Sequence, residues 1–187
     1  MGYKQYAKDY EIEYVAQPGK KRAKAVRIYV GPYYRFSASP ERMRRVKWLY
    51  LAGLLSLGMF LLLPLCVNGT LGRTWYVQVP LAAAWIPWVL AAASVWRLWT
   101  AGELVEREHH DLMGNRMSGA SLFLLLFSAV SAAGAIVTAA GINPAREDWL
   151  VLGCAVCAAA CSAMLFLRRK DLHMTEVENP EKPQTKK

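Results

Sequence analysis

VKWLYLAGLLSLGMFLLLPLCV, residues 46–67, is the stretch on which the fold turns. After Lys47 in its first turn it holds no Asp, Glu, Lys, Arg or His. A helix needs about 20 such residues to cross a hydrocarbon core about 30 Å thick. Helices buried in soluble proteins rarely reach this length without a polar stripe. Three comparable runs follow at 77–96, 118–140 and 149–167. Hydrophobic residues make up 55 % of the 187, and they are concentrated in these runs. The sequence predicts an all-α membrane protein, a four-transmembrane-helix bundle. The first run begins only at residue 46, so a cleaved signal peptide is not expected.

Working outward, charge sets the orientation. Of 23 Lys and Arg residues, all but Arg73 and Arg146 fall before the first span, in the second loop or after the fourth span. An even number of crossings places these three regions on one side. The excess of positive charge then predicts that both termini are cytoplasmic, in a multi-pass protein of the cell membrane. The formal net charge of +9 is read as this topology signal and not as a nucleic-acid surface. Tryptophan and tyrosine agree: Trp48, Tyr50, Trp96 and Trp99 mark one headgroup level, and Trp75, Tyr76 and Trp149 the other.

Three regions follow: a cytoplasmic β-module over 1–39, the four-span domain over 40–170, and a disordered cytoplasmic tail over 171–187. In the first, Tyr10–Val15 alternates apolar and acidic residues, and Val26, Ile28 and Val30 alternate likewise. Pro18-Gly19-Lys20-Lys21 between them is a turn. The pattern predicts a small N-terminal β-hairpin, with 33–36 as a third strand. A lone hairpin is marginal in water, so it must rest on the membrane surface, the second loop, a second copy or a partner. Ser39-Pro40-Glu41 starts a helix that should run unbroken over Pro40–Cys66. The second loop, 97–117, is expected to be partly helical and to end at Gly114-Asn115. The tail is polar and contains two prolines.

Arg42, Arg44, Arg45 and Lys47 lie where α-helix enters lipid. Near an anionic leaflet each is worth about 1 kcal/mol, so headgroup contact is expected. Trp85 and Trp88 sit at mid-span around Pro87. The proline should kink the helix. The rings then either pack into grooves on the alanine-rich third and fourth spans or line a pocket for an apolar ligand. Cys154, Cys157 and Cys161 share one helical face. Gly153/Cys157/Cys161 and Cys154/Ala158/Ser162 also form small-residue rows that let helices approach closely. On that reading Cys157→Leu would disrupt the contact with the third span. A zinc site is disfavoured, because only Cys66 could join them as a thiolate. Glu106-x-x-His109 has di-iron spacing, but a second copy is absent. No metal and no cofactor is expected.

A Cys-x-x-Cys on a late span of four resembles the quinone-coupled thiol oxidoreductases of the vitamin K epoxide reductase type. That resemblance implies redox chemistry at Cys154 and Cys157. The chain departs from the pattern in its first outer loop, 67–76, which has no cysteine pair. No ionisable side chain lies mid-span, which disfavours a monomeric ion-coupled transporter. The sequence therefore points to a non-catalytic accessory or scaffold protein presenting its basic N-terminal module. The alternatives are a thiol oxidoreductase using Cys154/Cys157 and a small-molecule or lipid-binding permease using the Trp85/Trp88 region. Anionic lipid headgroups and a protein partner or second copy are the expected partners.

Overall fold

The computed structural model describes residues 6–15 and 24–177; the Pro18-Gly19-Lys20-Lys21 turn and the tail beyond 177 lie outside them. Helix α1 spans Pro40–Cys66, capped by Ser39, whose Oγ accepts from the Arg42 amide at 3.4 Å. A short α2 (Thr70–Arg73) leads to α3 (Trp75–Ala83) and α4 (Trp85–Thr100). Then come α5 (Arg107–Gly141) and α6 (Arg146–Leu167), the last continued by a 3-10 turn, Arg168–Leu172. Among the described residues four helices, Pro40–Cys66, Trp75–Thr100, Arg107–Gly141 and Arg146–Leu172, are long and apolar enough to cross a membrane. Each of the four apolar runs lies within one of them except for Val67, the extended residue that follows the first helix.

α1 packs on α6 and α4, and α5 packs on α6, α4 and α3. Tyr50, Leu57, Leu61, Leu81, Leu124 and Leu165 fill the core. Serines let α5 sit close to its neighbours. Ser131 Oγ donates to the Val77 carbonyl at 3.0 Å, and the buried Ser128 and Ser162 hydroxyls are 3.4 Å apart. Gly134 takes the Tyr76 ring at a distance that would leave a Cβ 3.0 Å from it.

The second span breaks at Ala84, one turn before Pro87. A proline removes the bond to the carbonyl four residues earlier and its ring crowds that carbonyl. The disruption therefore falls at Ala83–Ala84 and not at the proline. The second loop also differs from expectation. Gly114-Asn115 does not end a helix: α5 runs 35 residues through it. At 1.5 Å per residue this is about 52 Å, so its first turns project beyond any 30 Å apolar layer.

Strands gather at the end of the bundle where α1 and α5 begin and α4 and α6 finish, hereafter the basic end. β1 (Tyr10–Val15) pairs antiparallel with β2 (Lys24–Tyr29), as expected, in a register that sets Tyr10 opposite Tyr29 but Glu11 opposite Ile28 and Ile12 opposite Arg27. β3 (Tyr33–Phe36) does not join this hairpin. It pairs antiparallel with β4 (Val105–Glu106) on one side and β5 (Met174–Val177) on the other. Within the segment expected as a module apart, β3 thus shares a sheet with the second loop and the tail, while β1 and β2 form a sheet of their own. The tail, expected to be disordered from 171, is a 3-10 turn and a strand up to residue 177. Its turn is held by Asp171, which accepts from Arg42 at 3.1 Å and from Arg168 at 3.4 Å.

Candidate functional site

The basic end carries the densest polar chemistry. Tyr29 is buried, and its hydroxyl donates to the Pro32 carbonyl at 2.8 Å and accepts from the Arg107 amide at 3.0 Å. It thereby caps the first turn of α5, whose N-cap residue supplies no side-chain acceptor. Tyr10 OH donates to Glu106 Oε2 at 2.7 Å, and Tyr6 OH to Asp111 Oδ2 at 2.9 Å. Tyr10 and Tyr33 both meet the Tyr29 ring edge-to-face, at 5.2 and 5.0 Å. His110 stacks on Tyr34 at 4.2 Å. Burial, then the bond to the Glu106 carboxylate, pushes the Tyr10 phenol above its ordinary value. Tyr29 is raised mainly by burial. Five aromatic rings and two sheets thus weld the hairpin, second loop and tail into one platform.

Beside the platform lies a cavity of about 690 Å³ between the end of β3, the first turns of α1 and the 101–103 segment after α4. Arg35, Arg44 and Lys47 face it with one carboxylate, Glu103. Phe36, Met43, Trp48 and Trp99 supply its apolar wall. The Trp48 and Trp99 rings meet edge-to-face at 5.1 Å and are 55 % and 38 % exposed. This is the concave, mixed polar and apolar geometry of a ligand site.

The four cations singled out from sequence divide. Arg44 and Lys47 line this cavity. Arg45 lies on a neighbouring hollow with Glu41, Arg44 and Trp48. Arg42 is turned to Asp171. Trp88 is anchored elsewhere: its indole Nε1 donates to the Leu54 carbonyl at 3.0 Å, and its ring lies over Gly58. Its groove is thus on the first span, because Gly58 and not an alanine leaves room for an indole. Trp85 meets it edge-to-face at 5.2 Å.

The cysteines are free thiols that do not form the expected packing row. The buried stripe of α6 is Asp148, Val151, Ala155, Ala158, Ser162 and Leu165. Cys157 is exposed, Cys154 and Cys161 are half-buried, and a Cβ on Gly153 would meet nothing within 4 Å. Of the two small-residue rows, Ala158 and Ser162 are buried in the interface and Cys161 packs half-buried against its edge. The helix is rotated toward the branched Val151 and Leu165, which bury more area there. His109 is exposed, and among the described residues no three His, Cys, Asp or Glu side chains converge.

Sequence reasoning missed Arg35, Phe36 and Glu103, which become neighbours of α1 only through the β3 sheet. It also missed Asp148 at the far end. That carboxylate is 1 % exposed; Oδ1 accepts from the Leu71 amide at 2.8 Å and Oδ2 from the Ala145 amide at 3.0 Å. Comparison with protein-family models, with curated proteins and with solved structures finds no match.

Proposed function

We propose that the protein is a non-catalytic scaffold of the cell membrane that presents the welded β-platform to the cytoplasm. One observation carries the reading: β3, β4 and β5 come from three separate segments and close into one sheet on the helix ends. A linker between spans needs no such closure, whereas a surface that must keep its shape for a partner does. The bilayer supports the other half of the reading. At most 33 % of each apolar window is buried within the bundle, so lipid is the natural solvent for the remainder. The platform then faces the cytoplasm by the charge asymmetry described above.

Ile12 and Val26 are exposed apolar residues of the hairpin, 58 % and 37 % accessible. Photo-crosslinking amino acids placed at these positions in the full-length protein in cells should trap the same discrete protein from both. Tyr34→Pro removes a donor from the central strand of the sheet and should abolish both adducts. Adducts with lipid alone, or adducts indifferent to Tyr34→Pro, would overturn the scaffold reading.

A further inference from the structure

The cavity beside the platform combines two demands that few ligands meet together. Arg35, Arg44 and Lys47 outnumber Glu103, so an occupant should carry negative charge. Trp48 and Trp99 sit at the level where α1 and α4 leave their apolar runs, so it should also carry hydrocarbon. A polar metabolite would leave the indoles unused. A neutral hydrocarbon would leave the cations without a counter-charge.

We infer that this cavity binds one anionic phospholipid of the cytoplasmic leaflet, a phosphodiester whose headgroup carries hydroxyls. The inference rests on the proposed membrane placement. The phosphate sits among Arg44, Lys47 and Arg35, and the first part of an acyl chain runs past Met43 and the Trp48–Trp99 pair. Glu103 sets the headgroup class. Its carboxylate repels a bare phosphomonoester dianion and accepts a hydrogen bond from a headgroup hydroxyl. A volume of about 690 Å³ accommodates a headgroup and the start of a chain but not a whole lipid. Arg35 belongs to β3, so the occupied site also fastens the platform to the bilayer.

The test uses full-length protein in phosphatidylcholine nanodiscs containing a minor share of photoactivatable phosphatidylglycerol, with adducts mapped by mass spectrometry. Adducts should concentrate on the segments holding Met43, Trp48 and Trp99. Arg44→Gln with Lys47→Gln should cut them roughly tenfold or more, the effect of two near-surface cations. Arg44→Lys with Lys47→Arg should retain them, which separates lost charge from lost folding. Glu103→Gln should narrow the preference for phosphatidylglycerol over a phosphatidic acid probe. Equal labelling by a phosphatidylcholine probe would overturn the inference, as would adducts spread evenly over all helix ends. So would labelling that survives the double Gln change, or labelling removed by millimolar inorganic phosphate. Protein that enters nanodiscs but labels diffusely sinks the lipid site alone. Protein released from native membranes by carbonate sinks the membrane placement and the lipid site with it.

Discussion

Asp148 shows how one side chain can hold a loop. Two backbone amides 74 residues apart in sequence donate to it, Leu71 in a buried bond and Ala145 in a part-buried one. Asp148→Ala leaves the buried Leu71 donor unpaired, which costs about 1–3 kcal/mol, and gives up the bond from Ala145 to water. Asp148→Asn offers one acceptor oxygen where two are needed and should fall between. Thermal unfolding in detergent should rank wild type above Asn above Ala. Equal melting of all three would mean that water replaces the carboxylate. In the sequence this residue is only an acid in the first turn of a span, because its main partner lies in another loop. The cysteines teach a related lesson. Their spacing fixed which residues share a face of α6 but not which face meets α5. Cys157→Leu should now leave stability unchanged, since the side chain is exposed. Ala158→Leu should destabilise by about 1–3 kcal/mol, because Ala158 is fully buried.

Elements differ in how far their own residues determine them. The hairpin was legible because Tyr10–Val15 and Lys24–Tyr29 each alternate; its register was not, since it sets Glu11 opposite Ile28 and Ile12 opposite Arg27. β5 was not, because Met174–Val177 is strand only by virtue of the free edge of β3. Arg35 and Thr175 stand directly opposite and both are exposed. Arg35→Cys with Thr175→Cys should therefore form a disulfide under mild oxidation in a background with the four native cysteines replaced by alanine. If none forms, the tail is outside the sheet. Gly114 in the overhang of α5 has open space where a Cβ would go. Gly114→Ala should accordingly stabilise by about 0.5–1 kcal/mol, the ordinary helix penalty of glycine, and a loss of stability would argue for a loop there. The tyrosines give the platform a pH limit. Tyr10 and Tyr29 are raised above 10.0 when folded. Unfolded, they ionise near that value, so the folded state loses stability as pH rises above about 10 and is unaffected below it. Hydrogen exchange of hairpin amides should accelerate there, and Tyr10→Phe should reduce the response.

At the scale of the whole molecule, the bundle is polar along its axis. Among the described residues, cations crowd the basic end, and only Arg73 and Arg146 sit at the other. The structure adds that these cations are not idle: Arg42 closes the tail turn, Arg107 lies 3.9 Å from Asp9, and Arg44 and Lys47 line the cavity. The charge that reads as a topology signal therefore also assembles the platform. The two roles can be separated by experiment. His109 is exposed at the basic end, and Arg146 is exposed at the far end. With the native cysteines replaced by alanine, Arg146→Cys should react with an impermeant thiol reagent in intact cells. His109→Cys should react only after the membrane is opened. Labelling of His109→Cys from outside would invert the proposed orientation and put the platform and the cavity beside it on the outer face, while the four-helix packing would stand. Adding lysines at the far end bears on cause. Asn68→Lys and Asn143→Lys, both at exposed positions, reduce the bias without touching the platform. If charge sets orientation, a fraction of His109→Cys should become accessible in that background. If the folded platform resists translocation by itself, labelling should stay at the closed-membrane level.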